Sequence, residues 1–390
     1  MKKICHVVLC NPFNDGWSYQ ENLLSKYHKR LGYLVTIITT PYITDTKTNG
    51  YKYFRTGEYV NEEGIKIVRL PIIVSQKCQV MKVLRCYKGT YNTLVNEKPD
   101  IIFVHGGQFW DIREIIKYKK KNPLIKVFVD NHADYVNSAR TWASYHIMHR
   151  IIWKRGIRKS IAYTEKFYGV APARVDFLIK MYDVPKEKTS LLVMGADDDL
   201  VEKSRAKESI ELNRKKYNIL PDDFLIVSGG KIDRDKKNII NLLEFVKRYQ
   251  EEHIKLIFFG PIIEELKEKL LQYVDGKKIQ YVPWLDTSES YNLFAIANLA
   301  VFPGGHSVYW EQAAGCGVPL IVKYWKGITH VDLEGNCEFI HEDTYDELGD
   351  LLTPLISQEH KYMKMKEIAE AKGMEEFSYK NIAKRSIVAD

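Results

Sequence analysis

Residues 225–260 read LIVSGGKIDRDKKNIINLLEFVKRYQEEHIKLIFFG, and they hold one complete strand–turn–helix–strand unit. Leu225–Ser228 is a short, continuously apolar run, the pattern of a strand buried on both faces. Gly229-Gly230 ends it. Asn238–Glu251 then places apolar residues at helical spacing, and Lys255–Phe259 is a second apolar run. Two strands joined through a helix run parallel, because parallel neighbours need a crossover connection.

The same alternation continues on both sides. Downstream, Ile279–Val282, Leu299–Phe302 and Leu320–Val322 read as strands, and Ile262–Tyr273, Glu289–Ala297 and Val308–Gly315 as helices. Upstream, the strands are Ile4–Cys10, Tyr33–Thr39, Ile101–Val104, Lys126–Asp130 and Leu191–Met194. The helices there are Trp17–Leu31, Lys82–Asn96 and Asp111–Lys120. Alternating elements imply an α/β class with parallel sheets. Two such series in 390 residues predict two Rossmann-like domains, 1–200 and 201–373, followed by a helix within 374–390 for which Ser378 is the candidate N-cap.

Charge divides at the same place. Residues 1–200 carry 32 Lys and Arg against 19 Asp and Glu, and the remainder 26 against 31, so the halves differ in sign and suggest different partners. No repeat or low-complexity segment interrupts the chain, and no apolar run reaches the length of a membrane span. ICHVVLC near the N-terminus leads directly into Asn11-Pro12 and lacks a small-residue cleavage site, so it reads as a first strand rather than a signal peptide. The six cysteines (5, 10, 78, 86, 316 and 337) form no metal-like spacing and read as reduced thiols of a cytoplasmic protein.

Six stretches can carry chemistry. Asn11–Asn22 joins the first strand to the first helix, and Gly16 permits close approach of an anion there, although no dinucleotide fingerprint is present. After Gly230, Lys231 and Lys236 flank a turn at a strand end and can place two ammonium groups beside one diphosphate. Gly304, Gly305, His306 and Ser307 lead into the helix that carries Glu311 and Gln312; backbone amides there suit an anion, and a carboxylate suits ribose hydroxyls. His105 and His132 end strands at a ligand-facing edge, where an imidazole can bind substrate or move a proton. Asp197-Asp198-Asp199 has metal-compatible spacing but reads as solvated linker acids. Finally, Ile115–Lys126 and Arg140–Lys159 mix aromatic and basic residues. They suit an anionic membrane interface; a plain amphipathic helix and a nucleic-acid patch are the rival readings.

In order along the chain, these pieces resemble the GT-B-fold glycosyltransferases of family 4 (group 1), which are retaining. Asn14-Asp15-Gly16-Trp17 is similar to the family's opening glycine loop, and Lys98–His105 to its mid-domain strand. Val193–Asp197 resembles its interdomain turn. Gly230-Lys231 through Lys236 resembles its "GR…EK" element, with Lys for Arg. Phe259-Gly260-Pro261 with Glu264-Glu265-Leu266 resembles "GxGP…eeL", and Gly315–Pro319 resembles "aCGvP". Phe377-Ser378-Tyr379 opens a helix like the one that crosses back to the first domain in that fold.

The resemblance implies a cleft between a first, acceptor-binding domain and a second, donor-binding domain. It implies that Lys231 and Lys236 hold the donor diphosphate, and that Gly305, His306 and Ser307 offer it backbone amides. It assigns Gly230, Gly260 and Gly304 to the nucleotide-sugar site, His132 to the family's first-domain histidine near the donor sugar, and Gly16 to a position by the phosphates or sugar. No metal or other cofactor is implied beyond the nucleotide-sugar, with UDP favoured as its nucleotide. One element departs. The family's paired glutamates, eight apart, fall here on Gly304 and Gln312, with Glu311 one residue off register. Either Glu311 or Gln312 takes the ribose role. The expected activity is retaining sugar transfer to a glycan or lipid-linked acceptor in surface polysaccharide or lipopolysaccharide assembly, in the cytoplasm or at the inner face of the membrane, without nucleic acid. A sugar-nucleotide epimerase on the same fold and a non-catalytic nucleotide-sugar- or lipid-binding subunit are the alternatives.

Overall fold

The computed structural model describes residues 1–45, 50–73 and 83–388. The chain divides into two compact units, Met1–Val193 together with the stretch from Ile382, and Met194–Asn381.

Among the described residues the first unit has ten strands: β1 Lys3–Val8, β2 Leu34–Thr39, β3 Tyr42–Asp45, β4 Gly50–Tyr53, β5 Gly57–Val60, β6 Lys66–Arg69, β7 Ile101–His105, β8 Lys126–Asn131, β9 Lys166–Gly169 and β10 Thr189–Leu191. Eight form one sheet in the order β10-β9-β8-β7-β1-β2-β6-β5, parallel except for β5, while β3 and β4 pair separately. β1, β7 and β8 are buried along nearly their whole length, as helices on both faces require. Each fully buried aliphatic or aromatic side chain there contributes roughly 1.5–3 kcal/mol relative to exposure. The helix Ile112–Lys121 shows how the flanking layer is made. Ile112, Ile115 and Tyr118 turn inward, whereas Lys117, Lys120 and Lys121 stay exposed. The basic-aromatic stretch 115–126 is therefore largely an ordinary amphipathic helix.

The second unit has six parallel strands: β11 Phe224–Gly229, β12 Ile254–Phe259, β13 Ile279–Val282, β14 Leu299–Phe302, β15 Leu320–Lys323 and β16 Cys337–Ile340. Their order is β13-β12-β11-β14-β15-β16. Among the parallel strands of each sheet the order reverses once, between β1 and β7 and between β11 and β14. Open α/β sheets bind ligands outside the carboxyl ends of the strands at such a point.

Four expectations need correction. The strand predicted at Leu191–Met194 is β10, which ends at Leu191 because its partner β9 ends at Gly169. The helix predicted over 82–96, whose first residue lies outside the described residues, is not continuous: residues 84–89 are not helical, Tyr87 bridges Ile72, Gly89 sits at φ +101°, and a helix runs over Thr90–Glu97. The C-terminal helix is interrupted at Phe377-Ser378, where the Ala196 N–H donates to the Phe377 carbonyl, and restarts as Tyr379–Ser386 with Ser378 Oγ accepting from the Asn381 N–H. The three aspartates are not solvated linker acids: Asp197 is buried and caps the helix Asp198–Arg205, and Asp198 accepts from Ser378 Oγ and the Lys380 N–H. The five described cysteines are free and buried; Cys78 lies outside the described residues.

Candidate active site

In the second unit, the loops leaving β11, β12 and β14 meet at the switch point. Gly230 (φ +99°) and Gly260 (φ +106°) stack so closely that a Cβ on Gly260 would lie 2.3 Å from the Gly230 carbonyl oxygen. A Cβ on Gly304 would lie 2.7 Å from Lys236 Cα. Glycine is needed at these places because backbone or side chain fills the space of a methyl group. The result is a small pocket lined by Ser228, Gly229, Lys236, Gly304, Gly305 and Ser307, among others.

Lys236 projects into this cradle and makes no ion pair among the described residues. Burial pushes its ammonium pKa down and the Lys231 charge adds to that, against the pull of Asp233 and Asp235. An under-compensated, partly desolvated ammonium attracts an anion more strongly than a solvated one. Lys231, on the same turn, is exposed.

The entry to the last loop differs from expectation. The Gly305 N–H is already spent on the Asp235 carbonyl at 3.3 Å, so it ties the two loops together rather than facing a ligand. The helix that follows, Tyr309–Gly315, is only seven residues long. Glu311 is fully buried, and its Oε1 lies 2.8 Å from both His306 Nε2 and His330 Nε2. A carboxylate only accepts, so both ring nitrogens carry protons there. Burial pushes the Glu311 carboxyl up, but the facing imidazoles outweigh it and hold the group well below the usual carboxylate range. Five buried polar atoms in this neighbourhood lack a partner: Ser307 Oγ, Trp310 Nε1, Glu311 Oε2, Gln312 Oε1 and His330 Nδ1. Buried polar groups are ordinarily satisfied, so a cluster of unsatisfied ones marks a place prepared for a polar ligand or ion. His330 was missed from sequence, since nothing in Thr329-His330-Val331 ties it to Glu311 before the chain is folded.

The family described as glycosyl transferases group 1 matches residues 209–372, which span this whole arrangement. That stretch of the second unit is therefore similar to the domain that group 1 glycosyl transferases share. Solved structures extend the likeness over both units. Anabaena HepE in complex with UDP is 13% identical, with a TM-score of 0.67 and coverage of 99% of this chain and 98% of that one. Sucrose-phosphate synthase from Thermosynechococcus elongatus is 15% identical, with a TM-score of 0.64 and coverage of 99% and 97%. WaaG, a glycosyltransferase involved in lipopolysaccharide biosynthesis, is 15% identical, with a TM-score of 0.62 and coverage of 98% and 99%. At these identities the likeness establishes the GT-B fold. No curated protein matches the chain.

The first unit presents its own switch-point loops. Gly16 sits at φ +71° after β1, in a loop held by the buried Arg69, which donates to the Phe13 carbonyl and lies 3.5 Å from Asp15. Asp15 Oδ1, both polar atoms of Gln20 and Asn22 Oδ1 are buried there without partners. Gln20 and Asn22 mark this loop more sharply than Gly16 alone. His132 follows β8, part-exposed, with Nε2 3.5 Å from Asp130 Oδ2. His105 is buried, and its Nδ1 lies 2.9 Å from the same oxygen. The second unit thus brings Lys236 and Gly304 together around one pocket, with Gly230 and Gly260 stacked beside Lys236 and His306, Glu311 and Gln312 on the last loop and helix. Gly16 and His132 belong to the first unit's strand-end loops.

Proposed function

We propose that this protein is a glycosyltransferase that moves a sugar from a nucleotide-sugar, with UDP as the favoured nucleotide, to a glycan or polyprenyl-linked acceptor with retention of configuration. The observation that carries this reading is the pairing of a desolvated Lys236 with the Gly230–Gly260–Gly304 cradle, a cationic pocket of the kind a diphosphate fills. Lys231 and Lys236 would stabilise the departing nucleoside diphosphate, and Gln312, buried with an unsatisfied oxygen, is available for a polar group of the donor. His132, oriented by Asp130, is the first unit's candidate for binding a sugar hydroxyl. The UDP found in HepE and the lipopolysaccharide role of WaaG favour the same donor and a surface-glycan acceptor. The free cysteines are in keeping with a reducing, cytoplasmic setting.

Contact with an anionic membrane belongs to the same proposal. No helix among the described residues is long and apolar enough to cross a membrane. Along 136–159, however, Val136, Trp142, Ile147 and Ile151 are exposed beside exposed Arg140, Arg150, Arg155 and Arg158, the mixture that suits a headgroup interface.

Transfer of labelled sugar to an isolated lipid-linked glycan tests the reaction. Lys231→Ala and Lys236→Ala are each expected to cut turnover by ~10²-fold, the scale for losing one charge-stabilising group. Full turnover in the double variant would remove the assignment. Conversion of the nucleotide-sugar without any acceptor would favour the epimerase alternative instead.

A further inference from the structure

We propose that His306, Glu311 and His330 form a binding site for a divalent transition-metal ion of the zinc class. The three ligand atoms, two imidazole nitrogens and one carboxylate oxygen, lie within 4.8 Å of one another. They come from separate stretches: His306 from the loop after β14, Glu311 from the short helix, and His330 from the segment after β15. The His330 and Glu311 side chains are wholly buried, and that of His306 is only 11% exposed. Burial matters because it removes the water that would otherwise compete for the ion.

Two further observations point to an ion rather than to a closed hydrogen-bonded cluster. Glu311 uses Oε1 twice while Oε2 is buried with no partner, so half of the carboxylate's capacity is unused. Charge is the second. With both rings neutral, the cluster holds one buried negative charge. His306 stands between Gly305 and Ser307, which line the same cavity as Lys236, so that charge borders a pocket otherwise suited to anions. A divalent ion on two neutral imidazoles and one carboxylate reverses the sign to a net positive. Two nitrogens and one oxygen suit zinc, cobalt or manganese, whereas magnesium and calcium prefer all-oxygen sets. The site stands on these three side chains alone and does not rest on the transfer reaction.

The test needs no sugar donor. The metal-stripped full-length protein is titrated with Zn²⁺ by calorimetry and with Co²⁺ by visible absorption. One equivalent per chain is expected, undisturbed by excess Mg²⁺ and retained in His253→Ala, which alters an exposed histidine elsewhere. His306→Ala and His330→Ala, checked for unchanged melting without metal, are expected to bind more than about 10²-fold more weakly, because loss of even a ligand's hydrogen-bond partner costs 10–100-fold. The parent titration stands by itself should either variant fold poorly. No saturable uptake by the parent, displacement by Mg²⁺, or uptake that survives in the double variant overturns the proposal.

Discussion

Asp130 in the first unit and Glu311 in the second are both buried carboxylates set among imidazoles, and they are completed in opposite ways. Asp130 is saturated. Its Oδ2 lies beside His105 Nδ1 and His132 Nε2, and its Oδ1 accepts the Gly106 N–H at 2.9 Å. From there a chain of rings continues: His105 Nε2 to His6 Nδ1 at 2.9 Å, His6 Nε2 to His28 Nδ1 at 3.0 Å, and His28 Nε2 to Ser386 Oγ at 3.0 Å. At its far end His28 Nε2 also lies 3.0 Å from the Ala383 carbonyl, which accepts from the Ser386 hydroxyl at 2.9 Å. Burial pushes the His28 pKa down to about 4 and His6 lower than its ordinary value too, in keeping with neutral rings. Glu311 leaves an oxygen unpaired and is surrounded by other unpaired groups. A saturated network spends its groups on holding the fold together; an unsaturated one keeps them for something that arrives later.

Several substitutions would break or sharpen that contrast. Asp130→Ala strips the partner from a buried chain of rings and should cost about 3–5 kcal/mol of unfolding free energy in urea. Glu311→Gln should cost well under half of that, because Glu311 already leaves one buried oxygen without a partner. If the two stability losses are equal, the contrast is lost.

Acid should act mainly on the first unit. His28 has a depressed folded pKa, so its contribution is fully present above the unfolded value near 6.5 and is lost as pH falls from there toward about 4. The expected loss is of order 1 kcal/mol per pH unit over that window, and His28→Gln should flatten the slope measured by denaturant melts across pH.

The smallest effect separates two adjacent glycines. Gly304→Ala meets Lys236 backbone and should cost about 1–3 kcal/mol, whereas a Cβ on Gly305 finds its nearest neighbour 3.9 Å away and should cost less than about 0.5 kcal/mol. Thermal melts of the two variants resolve the difference.

The two α/β series were legible because buried parallel strands are continuous apolar runs; Ile279–Val282 and Leu299–Phe302 end where the sequence pattern ends. β3 to β6 were not, since Tyr42–Asp45 and Gly50–Tyr53 are half-exposed and polar, and their pairing is a tertiary fact. The same distinction governs the site. Gly230, Lys236 and Gly304 lie in strand-end loops, where local sequence already tells of close backbone approach. The Glu311–His330 pair and the Asp130–His105–His6–His28 chain join residues far apart in sequence, and no periodicity reports them.

The central claim is that the second unit binds the diphosphate of a nucleotide-sugar through Lys236 and its glycine cradle. Thermal stabilisation of the parent protein, Lys236→Ala and His132→Ala by UDP tests it most directly. The parent and His132→Ala should gain about 2.7 kcal/mol at a hundredfold excess over Kd, and Lys236→Ala should gain far less at the same concentration. Equal stabilisation of all three proteins, or none of any, would contradict the account.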